Sequence, residues 1–206
     1  ITVRGGNRDY TVTVQNTDVL SIDIDLSSPI DMGNLVVKPK QKGETTITVK
    51  DNVTNETVDL KIKIVDSYLN LKVAHPAQVT YTGGENLFLI NNSDRDFYLF
   101  DEKMEKKECT GNYQFLIKNS TCYMILNFDK ELNDKSTYEY NISNTSERMF
   151  TLIEILLGID WNMKTDLINR STRSASPVTM NAVDTETNII QYFVAGSNDI
   201  PENILD

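Results

Sequence analysis

The sequence is short of the side chains that carry most chemistry. Its 206 residues include one histidine, His75, and two cysteines, Cys109 and Cys122. Structural zinc takes four nitrogen or sulfur ligands, and these three are not spaced as paired knuckles. HExxH, CxxC and EF-hand patterns do not occur. A Ser-His-Asp or Cys-His arrangement would have to use His75, which sits in Ala74-His75-Pro76, and the chain contains no GxSxG elbow. His75 is therefore read as an ordinary loop or strand-end residue. The glycine pairs Gly5-Gly6 and Gly83-Gly84 begin neither GxGxxG nor GxxxxGK, so they are read as turns and not as phosphate cradles. No cofactor and no metal site is expected. Apolar runs are short as well, far below the ~18 residues of a spanning helix.

Positive charge is also scarce. Against 30 acidic residues stand 20 basic ones, a net charge of −10 with a sequence pI near 4.6. Long-range attraction to a phosphate backbone or an anionic bilayer is thereby disfavoured, which argues against nucleic acid as a partner. With 39 % hydrophobic and 24 % charged residues the chain is globular in composition. Two carboxylates among so many can always converge in space as a glycosidase pair, but none is nominated. Asp23 and Asp25 alternate onto one strand face, and a solvated face accounts for them. NxS/T triplets at Asn52, Asn55, Asn91, Asn119, Asn141, Asn144 and Asn169 arise readily in a chain rich in Asn and Thr. They mean glycans only in a eukaryotic secretory context.

What is present is β patterning. Val58, Leu60, Ile62 and Ile64 alternate with Asp59, Lys61 and Lys63, which predicts a strand with one buried and one wet face. Tyr10-Val12-Val14, Leu20-Ile22-Ile24 and Thr45-Ile47-Val49 repeat the pattern. Turn residues separate them at 5–7, 27–29, 39–43 and 51–56. About six strands at such spacing predict an antiparallel sandwich.

The composition shifts at Asp66-Ser67. Of the Trp, Tyr and Phe residues only Tyr10 precedes this point, and net charge is −2 before it and −8 after it. A shared core would not segregate aromatics so sharply, so we place a domain boundary there, giving domains of 1–66 and 67–206.

In the second domain Leu69-Leu71-Val73 alternates again. Leu87–Ile90 and Phe97–Phe100 read as a hairpin about a polar loop. Residues 112–118 and 121–128 form a second hairpin, and Thr137–Ile142 a further strand. From 146 to 158 the period changes: Glu147, Thr151, Glu154 and Gly158 form a wet stripe, while Met149, Phe150, Leu152, Ile153, Leu156 and Leu157 cover the rest. Ser146 is the expected N-cap and Gly158 the C-terminal stop of this amphipathic helix. Residues 169–176 read as a surface loop, Asn188–Ala195 as a strand with apolar residues on both faces, either central in a sheet or covered by the helix, and Asp199-Ile200-Pro201-Glu202 as a final helical turn. The 112–128 hairpin places Cys122 opposite Ile117 and Cys109 opposite Lys130. Their separation along the strands is on the order of 27 Å, against a limit of ~7 Å for a bridge, so two free thiols are expected.

With the strands placed, residues 1–66 resemble a bacterial Ig-like domain of the group-2 type. The segments that carry the resemblance are Tyr10–Val14, Asp18–Ile22, Leu35–Pro39, Lys42–Asp51 with its Gly-Glu-Thr-Thr-Ile-Thr-Val run, and the alternating strand to Val65. The segment departs from that family in lacking a tryptophan in an early strand and in the longer loop from Ser27 to Gly33. The resemblance implies export to the cell envelope, as an outer-membrane or cell-surface lipoprotein of the Bacteroides type whose anchor lies upstream of Ile1. It implies a spacer or adhesion role and brings no catalytic residues. Residues 67–206 match no family in this way; their strand-rich, single-helix pattern is lipocalin-like only in the loosest sense, which licenses no ligand.

The expectation is thus a mainly β, two-domain, non-catalytic exported protein, an Ig-like sandwich presenting a β-rich domain of unknown function. Its partner would be a surface glycan or another envelope protein, and it would meet the membrane only through a lipid anchor. The alternative is a glycan- or small-ligand-binding protein, with Trp161 as the one candidate contact, set beside Asp160 and Asn162 just after the helix. A carboxylate-dependent glycoside hydrolase ranks behind both. Tyr138 and Tyr140 share a strand face with Ile142 and are read as core.

Overall fold

The computed structural model describes residues 1–28, 32–74, 83–119, 121–160, 178–196 and 201. It is mainly β and divides into two compact units, Ile1–Asp66 and Ser67–Asp206.

The first unit holds six strands: β1 (Thr2–Val3), β2 (Tyr10–Val14), β3 (Leu20–Asp25), β4 (Gly33–Pro39), β5 (Gly43–Asp51) and β6 (Thr57–Ile64). They form two three-stranded antiparallel sheets, β1-β4-β3 and β2-β5-β6. Val19, Leu20, Leu35 and Ile47 are its buried apolar side chains. Asp23 and Asp25 lie on the exposed face of β3, where Asp23 pairs with Lys38. The alternation in β6 holds, but its inner face is only half covered: Leu60, Ile62 and Ile64 are half-buried and Val58 is 60 % exposed. The reason is position, since β6 pairs with β5 alone and stands at a sheet edge.

The second unit holds β7 (Tyr68–Val73), β8 (Asn86–Ile90), β9 (Asp96–Phe100), β10 (Lys107–Lys118), β11 (Thr121–Leu132), β12 (Lys135–Ser143), helix α1 (Glu147–Leu157), β13 (Thr179–Asp184) and β14 (Ile190–Ala195). Each strand pairs antiparallel with the next, and β14 returns to β7 through Phe193↔Val73, Val194↔Lys72 and Ala195↔Leu71. The β-rich domain expected from the sequence is therefore a closed, eight-stranded up-and-down barrel. Closure is not legible in the sequence because β13 is not: Thr-Met-Asn-Ala-Val-Asp offers only Met180 and Ala182 to the inside and follows a polar stretch.

Side chains alternate in and out around the wall. Along β11, Cys122, Met124, Leu126 and Phe128 are buried while Asp129 to Glu131 are exposed; along β10, Gly111 and Tyr113 are buried and Asn112 and Gln114 exposed. On these two strands the buried set is mostly apolar and the exposed set polar, the reverse of a lipid-facing barrel wall. β8 is buried along its whole length, which its unbroken Leu-Phe-Leu-Ile run requires. Leu87 and Leu89 join the interior core, whereas Phe88 and Ile90 join an outer cluster with Phe100, flanked by Tyr68, Tyr98 and Met104.

Helix α1 forms where the sequence places it. Ser146 is extended at φ −66°, ψ 146°, and its Oγ accepts the Met149 N–H, while Gly158 takes the left-handed conformation at φ 63°, ψ 30° and donates to Glu154 O. Ser146 Oγ also accepts the Thr179 N–H at 3.2 Å, which joins the start of the helix to β13. Met149, Phe150, Ile153 and Leu157 enter the barrel core. Each such buried side chain contributes roughly 1.5–3 kcal/mol. The far end is tied down by Ser67 Oγ, which donates to Leu156 O at 2.6 Å, and by Arg95 Nη1, which donates to Leu157 O. The exposed stripe also includes Ile155, 69 % exposed, an apolar residue among the wet positions. Among the described residues no helix is long and apolar enough to cross a membrane.

Candidate functional site

The barrel has two unlike ends. At one, α1 and the β8–β9 turn meet; the other carries the β9–β10, β11–β12 and β13–β14 turns. An aromatic train runs through the interior. Phe97 and Phe128 meet edge to face at 4.9 Å, Phe128 and Tyr138 at 5.5 Å, and Tyr138 stacks on Tyr140 at 6.2 Å. Tyr138, Tyr140 and Ile142 are 5 %, 0 % and 6 % exposed, so the core reading of this strand face holds. Tyr138 reaches out of the apolar layer by donating to Leu132 O, and Lys135 Nζ lies 4.7 Å from its ring centre. Burial raises the Tyr138 phenol pKa, with Lys135 opposing the shift.

Among the described residues, Glu85, Asp184 and Gln191 are buried polar side chains in register with the inward apolar set. Two have duties the local structure explains. Glu85 Oε2 accepts the Gly83 N–H at 2.8 Å. Asp184 Oδ1 accepts the N–H groups of Glu186 and Thr187, each at 2.9 Å, and so builds the β13–β14 turn. Gln191 is different. It is 1 % exposed, and its Oε1 has no hydrogen-bond partner among the described residues. Such a buried acceptor costs about 1–3 kcal/mol in a protein interior.

Its position follows from register. Gln191 pairs with Ala182, and Ala182 pairs with Ile142. Gln191 and Phe193 share the inward face of β14, while Ile190 and Tyr192 are 40 % and 42 % exposed. The sequence pattern puts apolar residues on both faces of this strand and draws attention away from the glutamine between them. The strand is central, one of its two expected placements, but pairing of Phe193 with Met180 and Val73 turns its polar residue inward. The signal available in the sequence is the parity of Gln191 with Phe193.

Trp161, the ligand-contact candidate, lies outside the described residues, as do His75, the 169–176 loop and most of the expected C-terminal turn. Both cysteines are free, and register pairs Cys122 with Ile117. Burial pushes the Cys122 thiol up to about 12. Burial also raises Cys109, with Glu108 adding to the shift and Lys106 opposing it. Neither thiol is activated as a nucleophile at neutral pH. Among the described residues no group of three or more His, Cys, Asp or Glu side chains is placed to hold a metal ion.

The first unit carries a concavity of its own, an open groove of about 390 Å³ whose apolar lining includes Ile1, Val3, Leu35, Val49, Val58 and Leu60. At its rim Asp51 accepts from the N–H of Asn7 at 2.9 Å, the Asn7 side chain at 3.1 Å, and the N–H groups of Val53 and Thr54 at 2.8 and 3.1 Å. These bonds tie the turn after β5 to the chain entering β2.

The fold is thus a two-unit, mainly β one whose larger part is a closed antiparallel barrel. Compared with protein-family models, curated proteins and solved structures, the chain matches none of them.

Proposed function

We propose that this is a non-catalytic exported protein of the cell envelope, in which residues 1–66 serve as an Ig-like spacer and the barrel of residues 67–206 is the binding module for a small ligand. One observation carries the binding reading: the inward wall of a closed eight-stranded barrel bears a buried amide, Gln191, whose oxygen has no partner among the described residues. A barrel of eight strands encloses room that side chains fill or that one small ligand shares with them. The spacer reading is supported by six short strands in two three-stranded sheets, at the segments that carry the Ig-like resemblance. Export and a lipid anchor upstream follow from that resemblance. The glycan reading rests on Trp161 and has no geometry behind it among the described residues.

Thermal-shift screening of the full chain against small aromatic and aliphatic compounds tests the binding reading, with a glycan array run in parallel. A ligand present at a hundred times its Kd stabilises the barrel by about 2.7 kcal/mol. A barrel transition moved by no compound, alongside glycan binding lost in Trp161→Ala, would transfer the function from the barrel interior to a surface site.

A further inference from the structure

We infer that Gln191 is the hydrogen-bonding anchor of this ligand site, and that the ligand is a small aromatic molecule bearing one N–H or O–H donor. The inference rests on the reading of the barrel as a small-ligand binder and specifies its chemistry. Three observations lead to it. First, Oε1 of Gln191 is a buried acceptor without a partner among the described residues, on a side chain only 1 % exposed. Asp184, two positions along from Ala182 on the same inward face, has its Oδ1 committed to the β13–β14 turn, so the amide is not needed there.

Second, the inward residue paired with Gln191 is Ala182, which is smaller than the Met180 and Asp184 that flank it along β13. A small side chain beside the amide takes up less of the interior than a Leu or Met would. Third, apart from Glu85 and Asp184 the remaining inward side chains are apolar, and about a third of them are aromatic, Phe97, Phe128, Tyr138, Tyr140 and Phe193 among them. Such a lining favours a flat apolar ligand, and its edge-to-face contacts show how rings already pack within it. An acceptor without a partner in a mostly apolar enclosure discriminates for a donor, because a ligand without one leaves the acceptor unpaired.

Indole and 1-methylindole are the probes, since they share ring and shape and differ in the one N–H. Calorimetric titration of the full chain should show indole binding about tenfold more tightly, the equivalent of one net hydrogen bond. In Gln191→Leu the two should bind equally. Gln191→Met, unbranched and close in volume, serves if the leucine variant does not fold, and circular dichroism checks both. Equal binding of the two probes by the unaltered chain would overturn the assignment of Gln191 while leaving the barrel reading in place. Binding of neither would overturn the barrel reading as well.

Discussion

Arg95 and Leu157 are 62 positions apart, yet the guanidinium of the first donates to the backbone carbonyl of the second. The same Nη1 donates to Asn91 Oδ1 at 2.7 Å and lies 3.5 Å from the Tyr113 hydroxyl, which itself donates to Ile90 O at 3.0 Å. Arg95 therefore satisfies a carbonyl left open in the last turn of α1 and fixes the β8–β9 turn to the end of the helix. Replacing it with methionine keeps the aliphatic stem and removes these bonds. We expect a loss of about 1.5–3 kcal/mol in barrel stability, as for hydrogen bonds to a charged group. Urea unfolding followed by far-UV circular dichroism reads the transition. An unchanged midpoint would remove Arg95 from the account of barrel closure.

Gly111 marks the tightest point of the wall. A Cβ built there would stand 1.9 Å from Asn127 O and 2.8 Å from the Phe97 ring. Backbone cannot yield as a flexible side chain would, so Gly111→Ala should cost at least about 1–3 kcal/mol, as overpacking does. Gly5→Ala is the control, because its Cβ meets nothing within 4 Å, and its effect should stay within about 0.5 kcal/mol. Thermal melts of the two variants beside the parent make the comparison.

The Asp51 carboxylate gives the first unit a pH dependence of definite sign. Burial raises its pKa, but the donors from Thr54, Val53 and Asn7 together outweigh that, and the net shift is downward. A carboxyl whose folded pKa lies below its unfolded value contributes stability above the unfolded pKa. That contribution is lost as pH falls through the folded pKa. Protection of the Val53 and Thr54 amides from hydrogen exchange should therefore be fully retained near neutral pH and decline in acid. In Asp51→Asn it should already be low at neutral pH and depend little on acidification.

Thiol chemistry separates the two cysteines. In the native chain Cys122, fully buried and with its pKa pushed up to about 12, should not react with an aromatic disulfide reagent on the timescale of minutes. Cys109, half-buried, should react slowly. In denaturant without reductant both should titrate, and fewer than two thiols per chain would reveal a bridge that the register of β10 and β11 does not allow.

Much of this architecture could be read from the residues, for physical reasons that differ by element. Helix α1 was legible because both its ends are written in side chains, Ser146 accepting from Met149 and Gly158 supplying a left-handed residue. The β10–β11 hairpin was legible because its period-2 pattern and polar turn fix the register, down to Cys122 opposite Ile117. Closure was not, since it depends on β13, whose residues carry little apolar signal by themselves and take their inward parity from β12 and β14. For the same reason Gln191 was missed. Apolar residues fall on both faces of β14, Ile190, Tyr192 and Val194 on one and Phe193 on the other, and only pairing with β7 and β13 reveals that Phe193 and Gln191 face inward. In β6 the pattern was right and the burial was not, because a sequence does not announce that its strand is an edge.

The binding reading meets its most direct test in the amide and methyl NMR shifts of the full chain on addition of indole. A ligand inside the barrel should perturb Ala182, Gln191 and Phe193 on the inward face, together with Ile142, which pairs with Ala182. Shifts confined to Ile190, Tyr192 and other outward residues, with the inward set unmoved, would place the ligand on the surface and contradict it.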